Sequence, residues 1–254
     1  DGISVRSMEM FQAFGFAEQV MREAVWINET TFWAPGTAAA GSGGAAALTR
    51  VARVQDVPDG ISEMPHVLIN QARVHDMFLD RMRNAPTRLV PDLGLKVAGL
   101  TVDPATDDHP VTVTLAHTAP DREGQTHTVR ANYVIGCDGA RSAVRTAIGG
   151  ALHGDAAHQA WGVIDLLAVT DFPDWRMKCF VRSQDQGTLM VLPREGGHLV
   201  RLYVEMDQLA DHERVADRRL AAADIIAKAQ RILAPFQLDV KEVVWWSIYE
   251  IGHR

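Results

Sequence analysis

The run Gly136-Cys137-Asp138-Gly139-Ala140-Arg141-Ser142-Ala143-Val144-Arg145 offers chemistry through both its residue types and its spacing. The apolar stretch Tyr133 to Cys137 precedes it and has the continuous hydrophobic character of a fully buried parallel strand that stops at a ligand-facing loop. A carboxylate at such a strand end can accept hydrogen bonds from a sugar hydroxyl. Gly139 allows a ligand close to the backbone, and Ser142 with the amides after it can cap a helix that faces phosphate. A strand-to-helix turn with an ordinary N-cap accounts for the same letters equally well. Two other glycine motifs read differently. Gly41-Ser42-Gly43-Gly44-Ala45-Ala46 satisfies G-x-G-x-x-G/A as letters, but Pro35 to Ala40 before it cannot be the buried strand that the motif needs. Gly154-Asp155 runs into a strand at Gln159 to Ile164 and reads as a polar turn.

The elements around these motifs follow from periodicity. Val5, Met8, Phe11, Phe14, Ala17, Val20 and Met21 recur at helical steps and predict two short helices joined at Gly15. Trp26 to Trp33 reads as a strand and Pro35 to Ala47 as a loose loop. Val67 to Ile69 predicts a short strand, and Asn70 is a good N-cap for a helix reaching about Arg83. Lys96–Val102, Val111–Ala116 and Thr126–Val129 alternate as a meander. Beyond Gly150, long strands are expected at 160–169, 177–182, 188–192, 198–206 and 240–251, with hairpins at Gly187 and Gly196-Gly197. A helix over 223–233 places Ile225, Ile226, Ala229, Ile232 and Leu233 on one face. Buried parallel and antiparallel patterns together predict a mixed α/β fold.

Composition narrows the function classes. Lys and Arg number 25 against 32 Asp and Glu, a net charge of −7, which argues against a nucleic-acid partner. No window approaches the roughly 18–20 apolar residues of a membrane helix, and the N-terminus carries no signal pattern, so a cytoplasmic protein is expected. Cys137 and Cys179 are the only cysteines. Without a CxxC pair there is no material for a disulfide framework or thiolate metal site. His109, His117 and His127 lack metal-ligand spacing. Trp245, Trp246 and Tyr249 are expected to pack within a sheet, and the charges from Asp211 to Arg219 to be solvated.

The string CDGARSAVR resembles the DG motif of the class A FAD-dependent aromatic hydroxylases, the family of p-hydroxybenzoate hydroxylase and phenol 2-monooxygenase. Further matches extend the resemblance over essentially the whole chain. They are Asp1-Gly2-Ile3 with Arg6-Ser7-Met8-Glu9-Met10-Phe11, Pro65-His66-Val67 with Asn70-Gln71-Ala72-Arg73, Trp161-Gly162-Val163-Ile164-Asp165, Asp171-Phe172-Pro173-Asp174, Pro193-Arg194-Glu195, Leu199 to Val204 and Ile251 to Arg254. Within the family the match is nearest the branch acting on 3-hydroxybenzoate, with the phenol branch next. The family's GxGxxG unit and its later GD segment are both missing, so the chain resembles the central part of a larger enzyme.

The resemblance implies part of an FAD-binding Rossmann-like domain at 1–24 and 67–150, interleaved with a largely antiparallel substrate-binding sheet at 25–66 and 151–254. It implies NADPH-dependent reduction of FAD, use of O2 and hydroxylation of a phenolic acid, 3-hydroxybenzoate giving 3,4-dihydroxybenzoate, by an intact enzyme that is a homodimer and needs neither metal nor membrane. By match, Arg6 faces the FAD pyrophosphate, Gln71 the flavin's linker and Asp138 with Gly139 its ribityl or ribose side, with Arg73 a neighbour. Asp1 matches the carboxylate that assists deprotonation of the substrate hydroxyl, and Tyr203 the tyrosine that hydrogen-bonds that oxygen. Lys178 and His66 match polar pocket residues, where a cation can pair with a substrate carboxylate. Arg201 matches an arginine near the flavin in the phenol branch, and strand alternation puts it on the face of Tyr203. The residues alone leave plainer roles open: an exposed helix Arg6, a first-turn Gln71, a solvated Lys178, a satisfied His66 and an inward-facing Tyr203. Hydroxylation of phenol, a fragment that only binds an aromatic ligand, and a flavin reductase without hydroxylation are the alternative functions.

Overall fold

The computed structural model describes residues 2–36, 47–210, 213 and 215–253. By contact the chain divides into two units, Asp1–Asn84 with Asp155–His253, and Ala85–Gly154. In chain order the first part of the larger unit holds β1 (Gly2–Ile3), α1 (Val5–Ala13), α2 (Ala17–Glu23), β2 (Val25–Trp26), β3 (Glu29–Pro35), β4 (Leu48–Gln55), β5 (Val67–Leu68) and α3 (Gln71–Asn84). The smaller unit holds β6 (Leu95–Val102), β7 (Val111–His117), β8 (Thr126–Ala131) and α4 (Ala143–Ala147). The larger unit resumes with β9 (Asp155–Thr170), β10 (Lys178–Arg182), β11 (Thr188–Pro193), β12 (Val200–Gln208), α5 (Ala222–Leu233) and β13 (Leu238–His253).

A seven-stranded sheet in the order β13-β9-β12-β11-β10-β3-β4 is the frame of the larger unit. All its pairings are antiparallel except β10 with β3. Period-2 alternation divides its residues between two faces. Cys179, Val181, Leu189, Val191, Leu202, Val204, Ile164 and Leu166 point to one side, where α5 buries Ile225, Ala229, Ile232 and Leu233 completely. Each large side chain buried there contributes roughly 1.5–3 kcal/mol. Gly162 makes this contact possible, because a Cβ on it would lie 2.8 Å from Cγ1 of Ile225. On the same side Asp174 is buried, accepting from Nε1 of Trp33 at 2.7 Å and from Arg50 through Nε at 2.8 Å and Nη2. Asp174 thereby anchors the turn at 173–176 to β3 and β4.

A second core, with Met8, Phe11, Phe16, Val20, Val67, Ile69, Val74 and Met77, joins α1, α2 and α3 to the three-stranded sheet β1-β5-β2. Asn70 caps α3 by accepting from the Ala72 amide at 2.9 Å, as expected. In the smaller unit β6, β7 and β8 form the expected meander.

Several expectations change. Tyr133 to Cys137 is not a buried strand: no strand among the described residues runs beside it to complete a ladder, and Tyr133 and Ile135 are 90% and 86% exposed. The single strand expected at 26–33 is two, β2 and β3, in different sheets. They are separated at Ile27, whose amide donates to the His66 carbonyl at 2.9 Å while its side chain is buried. Strand β4 carried no clear signal because it is a sheet edge, with Val51 and Val54 exposed. Trp245, Trp246 and Tyr249 are 48%, 41% and 41% exposed, since β13 is the other edge. The Gly41 motif lies outside the described residues.

Gly162→Ala should lower stability by about 1–3 kcal/mol through overpacking against Ile225. Chemical denaturation checks this, and adding Ile225→Val should return part of the loss.

Candidate functional site

The sheet face opposite α5 carries the polar groups. In β12, Arg201 and Tyr203 alternate with the buried Val200, Leu202 and Val204, so the face expected from alternation is the one observed. Register places Tyr203 beside Met190 and Val163, Arg201 beside Asp165, and Lys178 beside Thr30. Tyr203 packs on a small cluster of Ile27, Leu68 and Leu192, with Met190 and Val25 around it.

Lys178 and His66 converge on one group that the sequence reading did not single out, the Asp56 carboxylate. Nζ of Lys178 donates to Oδ1 of Asp56 at 2.6 Å, and Oγ1 of Thr30 donates to the same oxygen at 2.8 Å. Nδ1 of His66 lies 2.5 Å from Oδ2. The side chains of Lys178 and His66 are each 20% exposed and that of Asp56 8%. Burial acts to raise the Asp56 pKa, but the bonds from Lys178, His66 and Thr30 outweigh it and hold the carboxyl below its ordinary range. Asp56 directly follows the edge strand β4, in a stretch of turn residues, so no periodicity marked it. His66 also lines an open cleft of about 370 Å³ with Ile27, Asn28, Glu29, Gln55, Val57 and Pro65. Its Nε2 lies against β1, 3.2 Å from where a Cβ on Gly2 would stand. Asp1, the expected base, lies outside the described residues.

Arg201 is engaged differently. Its Nε and Nη2 donate to the two oxygens of Asp165, each at 2.6 Å, and its guanidinium stands 5.3 Å from the Trp245 ring centroid. Burial pushes the Asp165 carboxyl up and the Arg201 guanidinium down, while this two-point bond favours both charges. Burial also raises the Tyr249 phenol, and Tyr203 adds to that shift. Cys179 is fully buried and its thiol is pushed up to about 12, so it is no nucleophile.

The residues matched to flavin contacts divide between the units. In the larger, Arg6 is exposed on the first turn of α1 with no ion pair among the described residues, and Gln71 is exposed at the first residue of α3. Arg73 instead grips Glu23 of α2 through Nε at 2.5 Å and Nη2 at 2.9 Å. In the smaller, Asp138 accepts from Oγ of Ser142 at 2.5 Å and from the amides of Ala143 and Val144 at 2.7 and 3.2 Å. The Ser142 bond leads in lowering the pKa of Asp138. Ser142 caps α4 by accepting from the Arg145 amide at 3.0 Å. Gly139 adopts φ 76°, open to glycine without strain, and the space at its Cβ position is empty. Gly139 and Ser142 line an open cleft of about 530 Å³ with Val102, Val134 and Val144.

A family described as the FAD binding domain matches residues 1–254. The chain belongs to this FAD-binding family. It is 56% identical over its whole length to a 3-hydroxybenzoate 4-monooxygenase of Comamonas testosteroni, covering 39% of that protein. It is 33% identical to a phenol 2-monooxygenase of Aspergillus fumigatus, covering 100% of this chain and 40% of that one. The chain thus spans about two fifths of the length of these relatives. The crystal structure of p-nitrophenol 4-monooxygenase from Pseudomonas putida superposes with a TM-score of 0.71 at 17% identity, over 99% of this chain and 57% of that one, and so shares the fold. In a chain of this family the Arg6 fork, without an ion pair among the described residues, is of a kind that suits paired phosphate oxygens. Asp138 has lone pairs left for a hydroxyl beyond its three internal bonds, whereas Arg73 is committed to Glu23.

No helix among the described residues is long and apolar enough to cross a membrane. Because the folded Asp56 pKa is depressed, its stabilising effect is present above about pH 4 and lost as pH falls through the folded value. Asp56→Asn should therefore cost about 1–3 kcal/mol at pH 7, and the gap to the parent protein should narrow as the pH is lowered below about 4, as measured by urea unfolding across that range.

Proposed function

We propose that this chain supplies flavin and substrate contacts to an NADPH- and O2-dependent aromatic monooxygenase that converts 3-hydroxybenzoate to 3,4-dihydroxybenzoate. The observation that carries this reading is the half-buried cation Lys178. Among the described residues Asp56 occupies one of its three N–H donors, which leaves two for a substrate carboxylate. The 56% identity with the 3-hydroxybenzoate enzyme supports the same choice.

The flavin-binding part is drawn from 1–24 and 67–150 and the substrate sheet from 25–66 and 151–254. In the larger unit Arg6 would hold the FAD pyrophosphate and Gln71 the flavin's linker. The Arg73–Glu23 fork fixes α3 on α2 and so places Gln71. In the smaller unit Asp138 and Gly139 would meet the ribityl or ribose hydroxyls. When bound, FAD supplies reducing electrons and the activation of O2.

Lys178 binds the carboxylate of the substrate and orients the ring. Tyr203 hydrogen-bonds the phenolic oxygen, and Asp1 takes its proton, making the ring electron-rich where oxygen is added. Ile27, Leu68, Leu192 and Met190 around Tyr203 exclude water from that end of the face. The bidentate Asp165 bond holds Arg201 on the same face, next to Tyr203. A phenol lacking the carboxylate is the second reading, favoured by the charge that Asp56 already supplies to Lys178.

Lys178→Met in the full-length, FAD-loaded enzyme should weaken 3-hydroxybenzoate binding about 10–100-fold, the size of a lost charged hydrogen bond. The loss for 3-methylphenol should be no more than about threefold. Spectral titration of the bound flavin reads both, and equal losses would favour the phenol reading.

A further inference from the structure

Lys178 and Asp56 cancel each other's charge, and the neighbouring Glu29 is cancelled by Arg53, which donates to it. With a neutral imidazole at His66 the cluster carries no net charge. Bringing an aromatic carboxylate to Lys178 would leave one uncompensated negative charge among side chains only 8% to 20% exposed, a costly state in such surroundings. Histidine is the side chain that can remove that cost near neutral pH by gaining a proton.

The geometry points to the atom. Oδ2 of Asp56 can only accept, so the neutral imidazole carries its hydrogen on Nδ1, 2.5 Å away. Nε2 is then the basic nitrogen, and it has no hydrogen-bond partner among the described residues. The groups facing His66 are Asp56 after β4, Lys178 of β10 and Thr30 of β3 through that carboxylate, Glu29 across the cleft with its partner Arg53, and the Gly2 backbone of β1.

We propose that Asp56 is a positioning residue that makes carboxylate recognition proton-coupled: it holds Lys178 and His66 on its two oxygens, and one proton moves from solvent to Nε2 of His66 as a benzoate carboxylate binds Lys178. The cluster then carries one net positive charge, which the substrate neutralises. The inference rests on the hydroxybenzoate reading above and adds a specificity device to it. Aromatic carboxylates are taken up with a proton, and neutral phenols are not.

The test is isothermal calorimetry of the full-length, FAD-loaded enzyme in two buffers of different ionisation enthalpy between pH 7 and 8.5, with 3-hydroxybenzoate and 3-methylphenol as ligands. The methylphenol corrects for any proton that the phenolic hydroxyl releases. Benzoate should take up about one proton more than methylphenol, and its affinity should fall about tenfold per pH unit over the upper part of that range. His66→Asn, which keeps a donor to Asp56 but cannot titrate, should abolish the extra proton. Asp56→Asn should also abolish it, by removing the negative charge that needs compensating, while Asp56→Glu should restore it. Benzoate binding to the parent enzyme without the extra proton overturns this inference alone. An Asp56→Asn variant that keeps the proton uptake overturns it as well. Benzoate that fails to bind at any pH where methylphenol binds overturns the substrate reading, and this inference with it.

Discussion

The Asp56 carboxylate ties together pieces of chain that share no local sequence. Thr30 comes from β3, Lys178 from β10 and His66 from the segment entering β5, and each donates to one small anion. A buried carboxylate is stable only when such bonds replace its water. The folded cluster therefore requires β3 and β10 to run side by side, which is the one parallel pairing of the seven-stranded sheet. It also requires the segment before β5 to lie close to the end of β4. Lys178 acquires a fixed direction as a result.

The same sheet uses two other buried carboxylates for different ends, and their faces explain why. Asp174 lies on the α5 side, where Trp33 and Arg50 hold it with three hydrogen bonds and the result is anchoring. Asp165 lies on the opposite face and holds Arg201 through both fork nitrogens, a geometry that fixes a guanidinium in plane. Lys178 on Asp56 differs from both because an ammonium spends a single donor on its partner. The substrate reading is centred on Lys178, whose rotatable ammonium is not locked in a planar two-point pair, with Arg201 beside Tyr203 as part of the surrounding frame.

Much of this was legible in the residues. The helical steps from Val5 to Met21, the meander at Lys96, the long strands after Gly150 and the apolar face of α5 all have strong periodicity, and the structure contains them. The alternation of Arg201 and Tyr203 with buried neighbours was equally readable. The failures have one physical cause, which is that a strand's fate depends on what lies beside it. Tyr133 to Cys137 has the composition of a buried strand but no neighbouring strand among the described residues, and β4 and β13 expose side chains that would be core in a central strand. Asp56 was invisible for a related reason: its importance comes from partners 10, 26 and 122 residues away in sequence. Resemblance named Lys178 and His66, and only the three-dimensional arrangement connects them.

The most direct measurement is a crystal structure of the full-length, FAD-loaded protein with 3-hydroxybenzoate bound. The account predicts a substrate carboxylate oxygen within about 3 Å of Nζ of Lys178, with the ring hydroxyl directed to Tyr203 and Asp56 still bonded to both Lys178 and His66. A carboxylate bound instead at Arg201, with Lys178 left paired to Asp56 alone, would contradict it.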